Sequence, residues 1–256
     1  MSARLSMPAI SHDWPAAPAR LKPAADEVHV WSAALDRTPA DAADLSRHLS
    51  QEERDRAGRF RHAGARAEFI ITRALLRLLL GECLGIKPRC VQFSQTSRGK
   101  PRLADSAETS LCFNVSHSHG MALFALTGRC EVGVDVERVR PFSDEMGLAD
   151  RFFTPTESAA LRALDSPRRL ETFFRLWTRK EAYLKAHGLG LSFGLERVEV
   201  SHTEDDPAHV VHIDGDHEAA AAWSLRTLAP ASGYVGALAL QAHDYRLFCW
   251  RLPDFS

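Results

Sequence analysis

The sequence lacks the marks of several protein classes. It has no excess of one charge: 32 Lys and Arg stand against 33 Asp and Glu, for a formal net charge of -1. A dedicated nucleic-acid binder usually presents an overall basic field, so this balance argues against that class and leaves room only for a local basic pocket. Cysteine is scarce: Cys83, Cys90, Cys112, Cys130 and Cys249 are odd in number and include no C-x-x-C pair. That pattern argues against a disulfide scaffold or a zinc site and fits a reduced cytoplasm. No stretch approaches the roughly 20 apolar residues needed to cross a bilayer. The most apolar run, Ala74 to Ile86, is interrupted by Arg77 and Glu82. The first 25 residues are rich in Ala and Pro without a continuous apolar segment, so they are expected to form a poorly ordered tail and not a secretory leader. These features predict a cytoplasmic protein with neither a membrane nor a nucleic acid as partner.

What is present suits a soluble globular protein. Of the 256 residues, 45% are apolar and 25% charged, enough to bury a core in one large domain or two smaller ones. Val28 to Trp31 reads as a short strand. Ser50-Gln51-Glu52-Glu53 has the capping-box spacing and opens a helix towards Arg59. A longer helix is predicted over about 64–84, with Gly85 at its C-terminal cap and Pro88 beyond. Ile70, Ile71, Ala74, Leu75, Leu78 and Leu79 form its apolar arc, with Arg66, Arg73 and Arg77 on the border.

Strand-like segments follow at 91–94 and 101–103, flanking a turn at Arg98-Gly99, then at 111–115, 122–126 and 132–136. Thr154-Pro155-Thr156-Glu157 combines an N-cap Thr, Pro at N1 and Glu at N3, so a helical block begins there. Pro167 interrupts it, and Gly188 and Gly190 end it. Strands return at 198–200, 210–213, 222–225, 234–240 and 247–250. The order helix-then-strands occurs twice without a strict repeat, which points to the α+β class with two similar halves. The expected division is a tail over 1–25, an N-terminal lobe over 26–137 and a C-terminal lobe over 138–256.

Two segments concentrate the chemistry. In Gly133-Val134-Asp135-Val136-Glu137 the strand period of two places both carboxylates on one face. In Trp177-Thr178-Arg179-Lys180-Glu181-Ala182-Tyr183-Leu184-Lys185, Trp177, Glu181 and Lys185 share one helical stripe. Facing each other, these elements would form an all-oxygen pocket for a hard cation, with a lysine one turn away for a phosphate held by the same ion. The bland alternatives stand beside this reading: an edge strand with two solvated carboxylates, and an i,i+4 ion pair between Glu181 and Lys185.

The motifs, taken in order, resemble the 4'-phosphopantetheinyl transferases of the larger single-chain (Sfp-like) type. The matching stretches are Arg98-Gly99-Lys100-Pro101, Phe113-Asn114-Val115-Ser116-His117-Ser118, Gly133 to Glu137, Phe153-Thr154-Pro155-Thr156-Glu157, Trp177 to Lys185, and Gly188-Leu189-Gly190-Leu191. The resemblance implies transfer of the 4'-phosphopantetheine arm of coenzyme A to a serine of an apo acyl, aryl or peptidyl carrier protein, releasing adenosine 3',5'-bisphosphate. It also implies a monomer built as a pseudo-dimer of two α+β lobes, with coenzyme A as co-substrate in the cleft between them.

By this resemblance Asp135, Glu137 and Glu181 hold Mg2+, with Mn2+ as an alternative ion. Glu181 is the candidate base for the carrier serine, and Lys185 holds the transferred phosphate. Ser116 and His117 meet the 3'-phosphate of coenzyme A, and Asn114 shapes the nucleotide pocket or satisfies the turn backbone. Arg98, Gly99, Lys100 and Pro101 line the adenine and phosphate region; the residue three positions before Arg98 is Gln95, where some relatives carry a base. Arg56, within the cluster Arg54, Arg56, Arg59 and Arg61, matches a phosphate-binding position, with Arg66 and Arg73 as weaker candidates. His119 has no match and reads as incidental, Lys180 as packing or surface, Trp177 as core, and Glu157 as a structural cap. Two other classes remain to be separated by experiment. A different Mg2+-dependent phosphoryl-transfer enzyme or hydrolase would turn over coenzyme A without a protein acceptor. A non-catalytic binding module would leave no covalent product.

Overall fold

Capping chemistry sets where the helices begin. Ser50 Oγ accepts the Glu53 N–H while the Glu53 carboxylate accepts the Ser50 N–H, and Thr154 and Glu157 repeat the arrangement. The computed structural model describes residues 12–18, 22–104, 109–188, 190, 193–203 and 206–253. In chain order these form β1 (Glu27–Ala34), α1 (Pro39–Leu45), α2 (Gln51–Gly58), α3 (Ala63–Leu84), β2 (Phe93–Gln95), β3 (Pro101–Leu103), β4 (Cys112–Ser118), β5 (Met121–Thr127) and β6 (Val132–Arg138). The chain continues through α4 (Glu145–Phe152), α5 (Pro155–Arg162), α6 (Ser166–His187), β7 (Val198–Val200), β8 (Val210–Ile213), α7 (His217–Ala221), β9 (Ser224–Leu228), β10 (Tyr234–Leu240) and β11 (Arg246–Arg251). The two long helices, α3 and α6, each end on a left-handed glycine, Gly85 and Gly188.

The fold is mixed α+β. One sheet has the order β11-β1-β5-β4, with β1 and β11 parallel; a second has the order β6-β10-β9 and is antiparallel. Strand alternation gives each sheet two apolar faces. Trp31, Phe113, Phe124 and Leu126 pack under α3. Val28, Val30, Leu123 and Ala125 on the opposite face meet Val132, Val134, Val136, Leu238 and Leu240 of the second sheet. The second sheet's other face, with Val235, Ala237 and Ala239, packs under α6. The layers thus run α3, sheet, sheet, α6.

One close approach locks α6 in place. A Cβ on Gly133 would fall onto the main chain of α6, at the Ala182 carbonyl and the Ala186 amide. Only glycine lets helix and strand backbones meet this closely.

Several expectations change in three dimensions. The tail expected over 1–25 includes Trp14, which is 6% exposed, and a short pairing of Pro15 and Ala17 with Arg251. An Ala- and Pro-rich composition does not reveal this, because one aromatic anchor supplies the burial. Residues 1–11 and 19–21 lie outside the described residues, as do Leu189 and Leu191. Strand is expected from Ala222, but α7 precedes it and β9 starts at Ser224. The sheets are not divided at 137/138: β6 pairs with β10, while β11 returns to β1. No described helix is long and apolar enough to cross a membrane.

Lys180, expected as packing or surface, is fully buried. Its ammonium and the Glu157 carboxylate form an ion pair of 2.5 Å with both side chains at 0% exposure. Lys180 Nζ also donates to the Leu195 and Val198 carbonyls, and Glu157 also accepts the Thr154 and Val200 amides. Burial pushes the Lys180 pKa down, and the Glu157 charge opposes that shift. Lys180→Met should therefore cost about 3–5 kcal/mol in urea unfolding, because it strands a buried carboxylate. The double variant Lys180→Met/Glu157→Gln should recover part of that loss. An unchanged midpoint for Lys180→Met would refute the coupling.

Candidate functional site

The edge strands β4 and β6 meet through a ladder of polar side chains. Asn114 Oδ1 accepts the Val134 N–H at 2.9 Å, Ser116 Oγ donates to Asp135 Oδ1 at 2.7 Å, and Ser118 Oγ donates to Glu137 Oε2 at 2.6 Å. β4 advances two residues per rung, so the pleat turns Asn114, Ser116 and Ser118 to the same side, towards β6. With Gly133 seating α6 on β6, Lys185 Nζ reaches Asp135 Oδ1 at 2.6 Å, Ser116 Oγ at 2.9 Å and the Val134 carbonyl at 3.3 Å. Glu181 lies one turn earlier on the same helix.

The electrostatics of this junction are unbalanced. Burial pushes the Glu181 pKa up to about 7, the negative charges of Asp135 and Glu137 add to the rise, and Lys185 opposes it. Glu137 is also raised, by burial first; the Ser118 hydrogen bond opposes the rise and the Asp135 charge adds to it. Asp135 is 4% exposed, and its Oδ2 is buried with no hydrogen-bond partner. Three carboxylates thus share one ammonium, and one buried oxygen is unsatisfied. Hard oxygen donors with surplus negative charge suit Mg2+ or Mn2+. Among the described residues no group of His, Cys, Asp and Glu is already drawn together tightly enough to hold a metal ion. The donor chemistry of the three carboxylates fits such an ion.

The raised Glu181 pKa has a sign that can be tested. The folded value lies above the ordinary 4.5, so the contribution of this group to stability is full below that pH and is lost as pH rises through about 7. With a chelator present, the melting temperature should fall between about pH 5 and pH 8, and Glu181→Gln should flatten that part of the profile. The same slope in wild type and variant would discount the crowding of carboxylates.

Other expected site residues are placed differently. His117 projects from the opposite face of β4 to Ser116, is exposed, and has Nδ1 3.2 Å from Glu68 Oε1. The structure does not bring these two neighbours to one point, because consecutive strand residues face opposite ways. Arg98, Gly99 and Pro101 are exposed in the β2–β3 hairpin, where Gly99 has φ of 83°. Lys100 folds back instead: its ammonium pairs with Glu131 and donates to the Val132 and Ala186 carbonyls at 3.1 and 3.2 Å. It braces the hairpin against β6 and the C-terminal end of α6, where a cation is favoured. The exposed Arg56 sets its guanidinium 5.1 Å above the Phe69 ring. Arg66 is exposed, while Arg73 pairs with Glu53 at 2.6 Å and lies 4.4 Å over the Phe93 ring. Ser118, read in the sequence only as one of several polar donors, proves to be the direct partner of Glu137. The signal was present as the shared period of Asn114-x-Ser116-x-Ser118 and Asp135-x-Glu137.

Comparison with known proteins identifies the family. Residues 131–239 match the family model of the 4'-phosphopantetheinyl transferase superfamily, and residues 35–128 match the model described as 4'-phosphopantetheinyl transferase, N-terminal. The chain is 40% identical to the 4'-phosphopantetheinyl transferase HetI of Nostoc sp., over 94% of this chain and 99% of that protein. It is 31% identical to the 4'-phosphopantetheinyl transferase Sfp of Bacillus subtilis, over 61% of this chain and 68% of that protein. It is 30% identical to the L-aminoadipate-semialdehyde dehydrogenase-phosphopantetheinyl transferase of Homo sapiens, over 60% of this chain and 52% of that protein. With a relative aligned end to end and family models covering both halves, the chain belongs to the 4'-phosphopantetheinyl transferases, as an enzyme of the larger single-chain type.

Proposed function

We propose that the junction of β4, β6 and α6 is where this enzyme moves the 4'-phosphopantetheine arm of coenzyme A to the serine hydroxyl of an apo acyl, aryl or peptidyl carrier protein. The observation that carries the reading is Asp135: one carboxylate oxygen held by Ser116 and Lys185, the other buried without a partner, and Glu137 and Glu181 close enough to feel its charge. The helix-and-sheet assemblies of α3 and α6 are read as the two lobes of a pseudo-dimer, with β6 in the α6 lobe and coenzyme A between them. The enzyme is taken to act as a monomer in the cytoplasm.

Asp135, Glu137 and Glu181 would hold Mg2+ or Mn2+. Such a cation, when bound, offsets the charge that grows on a diphosphate as its bond breaks. Lys185 offers its ammonium to the oxygens of the transferred phosphate. Glu181, with its pKa pushed up to about 7, takes the proton of the carrier serine near neutral pH. The serine Oγ bonds to the phosphorus that carries pantetheine, the bond from that phosphorus to the bridging oxygen of the diphosphate breaks, and adenosine 3',5'-bisphosphate leaves with that oxygen and the bonding electrons. His117, Arg56 and Arg98 hold the nucleotide end, with Gly99 and Pro101 shaping the hairpin, Asn114 and Ser116 shaping the strand side, and Lys100 exchanging Glu131 for a phosphate.

The test is to incubate the protein with coenzyme A, Mg2+ and a panel of apo carrier proteins, then weigh each carrier intact. A gain of one phosphopantetheine on a serine is expected. Consumption of coenzyme A without any carrier product would indicate a hydrolase. Retention of coenzyme A with no covalent product would indicate a binding module.

A further inference from the structure

We infer that Ser118 is a positioning residue that aims the Glu137 carboxylate, and that the turn following it, braced by Tyr234, holds Ser118 in place. The inference rests on reading Glu137 as a cation ligand and extends it to residues that touch neither substrate nor ion.

The two β6 carboxylates are held differently. Asp135 receives both a hydroxyl and the Lys185 ammonium. Glu137 has no basic side chain at ion-pair distance among the described residues, and the buried Ser118 hydroxyl is its close partner at 2.6 Å. An ionised carboxylate only accepts, so the single hydroxyl proton of Ser118 is committed to Glu137. His119 Nδ1 lies 2.9 Å from Ser118 Oγ, and the Arg138 N–H donates to that oxygen at 3.4 Å. Donation fixes the lone pairs of Ser118, and with them the direction in which its hydroxyl points.

The backbone around this pair is unusual. His119 and Gly120 form the two-residue loop between β4 and β5, closed by the Ser118–Met121 pair. Their φ angles are 46° and 86°. A loop with both residues left-handed ordinarily takes Asn or Asp first, and a histidine there is strained. The conformation is held from two sides. The Tyr234 hydroxyl, on β10, donates to the His119 carbonyl, and the Leu35 amide, just past β1, donates to the Gly120 carbonyl at 2.7 Å. A Cβ on Gly120 would also press on the Asp36 carboxylate at 3.0 Å. Strands of both sheets therefore clamp the turn that presents Ser118 to Glu137.

Outer partners that orient a ligand typically change metal affinity about 10- to 100-fold when removed. The experiment is a Mn2+ titration of the protein alone, followed by electron paramagnetic resonance, for wild type, Ser118→Ala, Ser118→Thr, Tyr234→Phe and Asp135→Ala. Ser118→Ala should raise the Mn2+ Kd about tenfold or more. Ser118→Thr, which keeps the hydroxyl, should restore the wild-type value. Tyr234→Phe should shift Kd in the same direction by a smaller factor. A Ser118→Ala protein that binds Mn2+ like wild type, when Asp135→Ala has lost binding, overturns the positioning role and leaves the cation site standing. If Asp135→Ala binds like wild type, or wild type binds no Mn2+, the cation reading fails and this inference falls with it. Should Ser118→Ala not fold, Tyr234→Phe decides, since it removes one hydroxyl remote from the carboxylate; an unchanged Kd then overturns the inference.

Discussion

Asp135→Ala is expected to lower phosphopantetheine transfer by about three orders of magnitude or more while the protein still unfolds cooperatively. Asp135 is where the strand ladder and the helix meet: it takes the Ser116 hydroxyl and the Lys185 ammonium on one oxygen. Removing it would take away one of three carboxylates proposed to hold the cation and would release Lys185 from its anchored position. Stability should change much less. Lys185 is part-exposed and can turn to water, and Glu181 loses a repulsive neighbour. Asp135→Asn separates charge from shape. It keeps an oxygen for Ser116 and nearly the same volume, so a comparable loss of transfer would assign the effect to charge. Time courses of carrier modification by intact mass, alongside thermal melts, provide the check. Wild-type rates in Asp135→Asn would remove the carboxylate from the chemistry.

The parts of this molecule that obey short-range rules were legible in the sequence. The capping boxes at Ser50 and Thr154, the αL glycines at 85 and 188 and the alternation of β6 are each set within a few residues. So was the sharing of one helical stripe by Glu181 and Lys185. What was hidden depends on partners far along the chain. Nothing near Lys180 announces Glu157 as its buried partner, and nothing in Arg98 to Pro101 tells that Lys100 turns towards Ala186. The return of β11 to β1 and the burial of Trp14 are likewise settled by packing and not by local propensity. The separation of Ser116 from His117 is a different case: the period of two implies it, but reading the two as consecutive donors obscured it. Ser118 was obscured in the same way, because its partner Glu137 lies across two strands.

Gly133→Ala should be the most damaging single-methyl change in the site. Overpacking usually costs about 1–3 kcal/mol because side chains shift to new rotamers. At Gly133 the obstacle is the main chain of α6, the Ala182 carbonyl and Ala186 amide that belong to one helical hydrogen bond. No rotamer relieves that collision, so the helix must lift from the strand, and a loss above about 3 kcal/mol in urea unfolding is expected. Lifting α6 also carries Glu181 and Lys185 away from Asp135, so transfer should fall even where the variant remains folded. Trimming Ala182 or Ala186 to glycine should not rescue it, since the clash is not with their side chains. Gly58→Ala supplies the contrast. Gly58 lies at the end of α2 with open space around its Cβ position and no positive φ, so alanine there should be neutral or stabilising by about 0.5–1 kcal/mol. A Gly133→Ala protein matching wild type in both unfolding midpoint and transfer rate would mean that α6 is not seated on β6 through this contact, and the convergence of Asp135, Glu137, Glu181 and Lys185 would lose its structural cause.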